Sequence, residues 1–229
     1  MAGTSVRNAG VANLSGLSTA DKVNALRSQM QAMVGSAALA PVGPAAASEL
    51  PQDDGLDVGL PLPLPRRAIT EVSDCPALIV HLLDRITRGG GYAAVIGWPE
   101  LSVAGIERLH QLVLVPDPGP EPLSIAGVLA EGLDVVVWHT AGEIELSPTR
   151  ARPLAAKARA GQAAVVLVGP KVASPALRVD ASVTTYRGIG RGSGRITGLD
   201  IEVAVRNKSQ RRRAVVTLGE RPRLQAVGS

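Results

Sequence analysis

The chain has no phenylalanine, and two tryptophans and two tyrosines are the only aromatic residues among its 229. Its core must therefore be built from valine, leucine, isoleucine and alanine, within a hydrophobic content of 45%. Cys75 is the single cysteine. One thiol excludes a disulfide framework and fits a reducing cytoplasm. Long apolar runs are missing as well: none reaches the roughly 18 residues that a membrane helix needs. The N-terminus lacks a basic stretch followed by an apolar one, so no secretory leader is expected. Charge of one sign is in only slight excess, at a formal +4. That permits contact with nucleic acid or an acidic partner without demanding either.

A last absence bears on chemistry. Residues 68–140 read as strand, helix, strand, helix, strand, helix, strand. Nucleotide-binding proteins of this class carry a glycine-rich phosphate loop at the first strand-to-helix turn. Here that turn is Ser73-Asp74-Cys75-Pro76-Ala77, with no glycine, no lysine and no Ser/Thr after a lysine.

The length allows one α/β domain plus tails. Residues 1–18 are small and polar and are expected to be disordered. Over residues 19–34, Val23, Leu26, Met30, Met33 and Val34 recur every three or four positions, forming one apolar stripe on a helix. Residues 35–67 are rich in Ala, Pro and Gly and read as a linker; alternating Leu and Pro at 60–65 favour an extended path. The core then runs over 68–219, followed by a flexible end at 220–229. Strands are expected at 68–72, 92–97, 112–115, 133–138 and 163–168, as short apolar runs typical of buried parallel strands. Pro76 opens a helix carrying Leu78, Ile79, Leu82, Leu83 and Ile86. Ser147-Pro148 starts another, to about Ala160, with Leu154, Ala155 and Ala158 facing inward. Residues 139–145 read as a loop. From 177 the helices cease, and strands at 177–187, 196–206 and 213–218 should form an antiparallel meander, with turns at 188–194 and 207–210.

Few residues invite a chemical role. The glycines at 188, 190, 192 and 194 lie between strands and not before a helix, so a hairpin loop is expected and not a dinucleotide site. His81, His110 and His139 are scattered, with no carboxylates or cysteines at metal-ligand spacing, so no metal and no cofactor is expected. Cys75 reads as a small apolar filler and Asp74 as a helix cap. No strand-turn-helix elbow presents a serine nucleophile. Basic residues are the stronger signal: Arg191 and Arg195 near the glycine string, then Arg206, Lys208, Arg211, Arg212 and Arg213 around one hairpin turn. Such a patch is either a solvated hairpin end or a contact for nucleic-acid backbone or an acidic partner. Stacking platforms are scarce there, since Tyr186 is the only aromatic residue in the C-terminal strands.

The run Val113-Leu114-Val115-Pro116-Asp117-Pro118-Gly119-Pro120-Glu121-Pro122-Leu123 resembles the RecA stretch Q-P-D-x-G-E-x-A-L. Leu133-Asp134-Val135-Val136-Val137-Trp138 is similar to RecA's Walker B strand, and the last strands, ending in Val205-Arg206-Asn207-Lys208, resemble RecA's closing antiparallel strands. The likeness covers about residues 68–218. Within that superfamily the chain most resembles ImuA-type proteins, in their short actinobacterial ImuA-prime form, through Ala25-Leu26-Arg27-Ser28-Gln29-Met30 before a degenerate core and the 115–120 and 132–136 motifs.

The resemblance implies a degenerate RecA-like α/β core: a mainly parallel sheet flanked by helices, with C-terminal antiparallel strands and a tethered N-terminal helix. It implies a non-enzymatic accessory role in damage-induced mutagenic translesion synthesis, in the cytoplasm and recruited to the nucleoid. The implied partners are an ImuB-type adaptor or a second copy of the chain, met by the N-terminal stripe, and an error-prone polymerase indirectly. DNA contact is weak or indirect. The alternative is a DNA-binding accessory protein that uses the basic C-terminal hairpin. Trp138 falls where RecA has its Walker B aspartate, and Pro99, beside Glu100, where RecA has its catalytic glutamate. The DNA-binding loops are cut down to 139–146 and 170–175. An Mg-ATP site needs phosphate cradling, a lysine and metal support together.

Overall fold

The computed structural model describes residues 55–190 and 193–219. Thirteen elements follow in order: β1 (Gly55–Leu56), β2 (Leu64–Pro65), β3 (Ala68–Val72), α1 (Pro76–Arg88), β4 (Ala93–Ile96), β5 (Leu112–Val115), α2 (Pro122–Ala130), β6 (Val135–Leu146), α3 (Pro148–Ala160), β7 (Ala164–Val172), β8 (Leu177–Gly190), β9 (Ser193–Arg206) and β10 (Arg211–Gly219). One sheet holds eight of the strands in the order β10-β9-β8-β3-β7-β6-β4-β5. From β8 to β5 every pairing is parallel; β8, β9 and β10 pair antiparallel. The α/β class expected from the sequence is the class observed.

The helices fall on two faces because the central strands are apolar on both sides. On one face α1 buries Leu78, Ile79, Leu82, Leu83 and Ile86 against Val72, Val95, Val137 and Val166, in a cluster that continues to Ile201, Val203 and Val205 of β9. On the other, α2 and α3 bury Ala126, Ala130, Leu154 and Ala158 against Ile69, Ile96, Val136, Val165 and Leu167. Proline stands in the first turn of all three described α-helices, where its missing N–H has no intrahelical partner to lose. Ser147 caps α3, its hydroxyl accepting from the Arg150 N–H at 3.4 Å.

Several expectations are corrected. The stretch 55–67, read as the end of a linker, is part of the body: β1 and β2 pair, and Leu56, Val58, Leu62 and Leu64 are buried in the α1-side cluster. Burial stabilises each by about 1.5–3 kcal/mol, enough to override the extended preference of alternating prolines. No α-helix joins β4 to β5; a 3-10 turn at Leu109–Gln111 does, after a segment anchored by buried Trp98, Leu101 and Ile106. The expected loop at 139–145 is strand. β6 shifts register between His139 and Ile144 and pairs on to Leu146, opposite a β7 that continues through Gly169 and Pro170 to Val172. Gly169 takes φ 99° within β7, and a Cβ there would collide with Thr140, so glycine suits the position. The loop expected at 139–146 is thus sheet, and the one expected at 170–175 is sheet as far as Val172. The hairpin of β8 and β9 also reaches further into the glycine string than expected, to Gly190 and from Ser193.

Candidate functional site

In parallel α/β sheets, ligands meet the carboxyl ends of the strands. The turn from β3 to α1 lies there. Its Ser73 hydroxyl accepts the Ala181 N–H at 2.7 Å and lies 3.1 Å from the Ala181 carbonyl, so the turn is tied to β8. Cys75 takes the N-cap position of α1 with no side-chain hydrogen bond. Its thiol is buried, as a filler should be, and burial is the main cause that pushes its pKa up. Asp74, expected to cap the helix, does not. It is exposed, and its Oδ2 stands 4.0 Å from His139 Nε2.

His139 itself is held on two sides. Its Nδ1 lies 3.0 Å from the Gly97 carbonyl, a contact that requires Nδ1 to carry the proton. Its ring stacks on Trp98, with centroids 4.0 Å apart and planes within 9°. Gly97 has φ 73°, and a Cβ on it would stand 2.7 Å from the His139 carbonyl oxygen. The N-terminus of α1 is therefore bordered by a carboxylate and a stacked indole and imidazole. The aspartate adds negative charge where a phosphate would need the opposite. Trp138, at the position of RecA's Walker B aspartate, is buried on the other face of the sheet in the α2–α3 cluster. Pro99 and Glu100 are exposed.

A second polar cluster was not legible as such in the chain. Glu71 of β3 is 3% exposed. Its Oε1 accepts the Val172 N–H at 2.7 Å, and its Oε2 lies 3.3 Å from Arg178 Nη1, while Arg178 Nη2 donates to the Val172 carbonyl at 3.4 Å. The sequence carries one signal of it: a carboxylate in a strand with no other charge, Ala-Ile-Thr-Glu-Val, must have a partner when buried.

The structure divides the basic residues predicted as contacts. Arg191 lies outside the described residues, as does the stripe of Val23, Leu26, Met30, Met33 and Val34. Arg195 is exposed near the start of β9, roughly 35 Å along an extended strand from Arg206. Arg206, Lys208, Arg211, Arg212 and Arg213 do gather at the β9–β10 turn, all exposed. Asn207 shapes that turn, its Oδ1 accepting the N–H groups of Ser209 at 3.0 Å and Gln210 at 2.7 Å. Register then separates the arginines. Arg211 pairs with Arg206, and Arg212 with the inward-facing Val205, so Arg211 and Arg213 share a face with Arg206 and Arg212 takes the other. Arg206 also pairs with Arg178 of β8, a residue that spacing along the chain gave no reason to include. Among the described residues no group of three His, Cys, Asp or Glu is placed to hold a metal ion. No described helix is long and apolar enough to cross a membrane.

The model of the family described as the MT3502 N-terminal domain matches residues 59–174, half of the chain. The chain belongs to that family. The matched stretch comprises the parallel body from just after β1 to the end of β7 and stops before β8. The uncharacterized protein Rv3395c of Mycobacterium tuberculosis is 30% identical over 159 residues, 65% of this chain and 78% of that protein. Among solved structures, SulA from Pseudomonas aeruginosa aligns with 45% of this chain and 98% of its own, at 17% identity and a TM-score of 0.36. The sugar N-methyltransferase KedS8 from Streptoalloteichus aligns with 97% of this chain and 84% of its own, at 14% identity and a TM-score of 0.24.

Proposed function

We propose that this chain is a non-catalytic accessory protein of damage-induced mutagenic DNA synthesis, a degenerate RecA-like protein of the ImuA type. It binds a polymerase-like adaptor of the ImuB type and supports an error-prone polymerase through it, in the cytoplasm and at the nucleoid after damage. The observation that carries the non-catalytic part is the β3–α1 turn. Ser73-Asp74-Cys75-Pro76-Ala77 offers neither glycine amides nor a lysine, and Asp74 and the Trp98–His139 stack border the helix start. The RecA-type motifs at 113–123 and 133–138 fall on β5, its following turn and α2, and on β6, in the chain order the resemblance expects. Family membership with a mycobacterial protein fits the actinobacterial ImuA-prime form. The N-terminal stripe supplies the adaptor contact, as a helix-in-groove anchor.

Two experiments test this. The tagged full chain, purified from cells after DNA damage, should bring down the ImuB-type adaptor, and Leu26→Asp with Met30→Asp should weaken that complex by orders of magnitude while the melting temperature holds. Loss of core stability in the double variant, with normal adaptor binding once folded, would assign the helix to its own domain. Calorimetry with Mg-ATP should be flat; a micromolar dissociation constant, about −8 kcal/mol, would end the non-catalytic reading.

A further inference from the structure

The face of the antiparallel strands on which no described helix packs carries a charge arrangement that folding alone does not favour. Arg178 of β8, Arg206 of β9 and Arg211 of β10 stand directly opposite one another in a single row across three strands. Like charges in directly opposed positions repel and destabilise a sheet. Arg178 is offset by Glu71 at 3.3 Å. Among the described residues no carboxylate lies within 4 Å of Arg206, Lys208 or Arg211; Glu71 lies across β8 opposite Arg178, and Asp180 opposes Ala204 one row along. Arg213 meets Glu202 only at 3.9 Å.

The ordinary explanation for arginines on a sheet rim is protection of the edge strand. It accounts for Arg211 and Arg213, since β10 is the edge. It does not account for Arg206, because β9 is paired on both sides, nor for Arg178. Beside the row the surface is concave. A hollow of about 320 Å³ is lined by Ala173, Ser174, Arg178, Arg206, Asn207 and Lys208, among others.

We infer that this row and hollow form a phosphate-binding site that takes the phosphodiester backbone of a single nucleic-acid strand. Guanidinium groups suit the planar, two-point recognition of phosphate oxygens, and Ser174 and Asn207 add neutral polar groups. No aromatic side chain lines the hollow, so no base is stacked and the contact is independent of sequence. Charge continues from the hollow along the edge through Arg211 and Arg213, further than one phosphate extends, which favours a strand over a free anion. The arginines of the site lie beyond the stretch matched by the family, with Ala173 and Ser174 at its very end, and the site is independent of adaptor binding.

The test uses the full chain and a fluorescein-labelled 25-nucleotide poly-dT, followed by anisotropy. Binding is expected with a dissociation constant of about 1–10 μM at low salt, and a log–log salt slope near −2, as roughly three phosphates neutralised on a single strand require. Arg206→Ala with Arg211→Ala should weaken binding at least tenfold, with an unchanged circular dichroism spectrum and melting temperature. Arg212→Ala, on the opposite face, should change it less than twofold. Equal losses from Arg211→Ala and Arg212→Ala would mean only net charge is sensed and would overturn the site. So would no binding at low salt, stronger binding of a poly-glutamate peptide, which would make the face a protein contact, or full competition by an equal concentration of inorganic phosphate.

Discussion

The Glu71 carboxylate accepts the backbone N–H of Val172 at 2.7 Å, across 101 residues of chain. It joins β3 to the end of β7, beyond the last β3–β7 pair of Val72 and Val168, and its other oxygen holds Arg178 at the start of β8. The bond thus fixes the junction between the parallel body and the antiparallel strands. Glu71→Ala leaves the Val172 N–H and the Arg178 guanidinium without their acceptor. The expected loss is about 2–3 kcal/mol, from one charge-assisted hydrogen bond plus a half-exposed ion pair. Glu71→Gln keeps an acceptor and should lose less. Urea unfolding midpoints check the order; equal stability of all three proteins would show that the junction is held elsewhere.

Leu64 separates a linker from a folded segment. It is fully buried beside Leu56, Val58 and Leu62. Leu64→Ala should cost about 2–5 kcal/mol by lost burial and a residual cavity. A change within 0.5 kcal/mol in thermal or urea unfolding would return residues 55–65 to the linker.

Gly97 and Gly119 both sit in the left-handed region, at φ 73° and 63°. Alanine at either meets a backbone penalty of about 1–2 kcal/mol. At Gly119 nothing else lies within 4 Å of the added carbon, whereas at Gly97 it would stand 2.7 Å from the His139 carbonyl oxygen. Gly97→Ala should therefore be the more damaging, and should also disturb the Trp98–His139 stack. Tryptophan fluorescence and melting temperatures of the two variants decide; equal losses would mean that the close approach to His139 is not tight.

His81 makes stability depend on pH. Burial is the main cause that lowers its pKa from the ordinary 6.5, with Arg85 assisting. The unfolded chain therefore takes up this proton at a higher pH than the folded one. Between the depressed folded value and 6.5 the unfolded state binds more protons, so stability rises with pH across that window and falls on acidification through it. His81→Gln should flatten the slope of unfolding midpoint against pH between about 5 and 7 relative to the parent chain. An unchanged slope would assign the dependence to other groups.

Some of this protein was determined by the sequence alone, for local reasons. Apolar runs too short for membranes and rich in valine make buried parallel strands, the spacing of Leu78, Ile79, Leu82, Leu83 and Ile86 makes a one-sided helix, and Pro76 and Ser147 mark helix starts through backbone chemistry that acts within a few residues. The missing phosphate loop was equally legible, because that motif is contiguous. What the tertiary structure decided depends on contacts between distant segments. Residues 55–67 look like a linker until the cluster they bury themselves in exists. Residues 139–146 look like a loop until β7 runs alongside to satisfy their backbone. Asp74 reads as a cap until His139 stands 4.0 Å from it. Arg206 and Arg211 were legible as basic residues around one hairpin turn, but their alignment with Arg178 has no signature along the chain, because strand register, set by which residues of each strand must face the core, is what brings Arg178 into line with them.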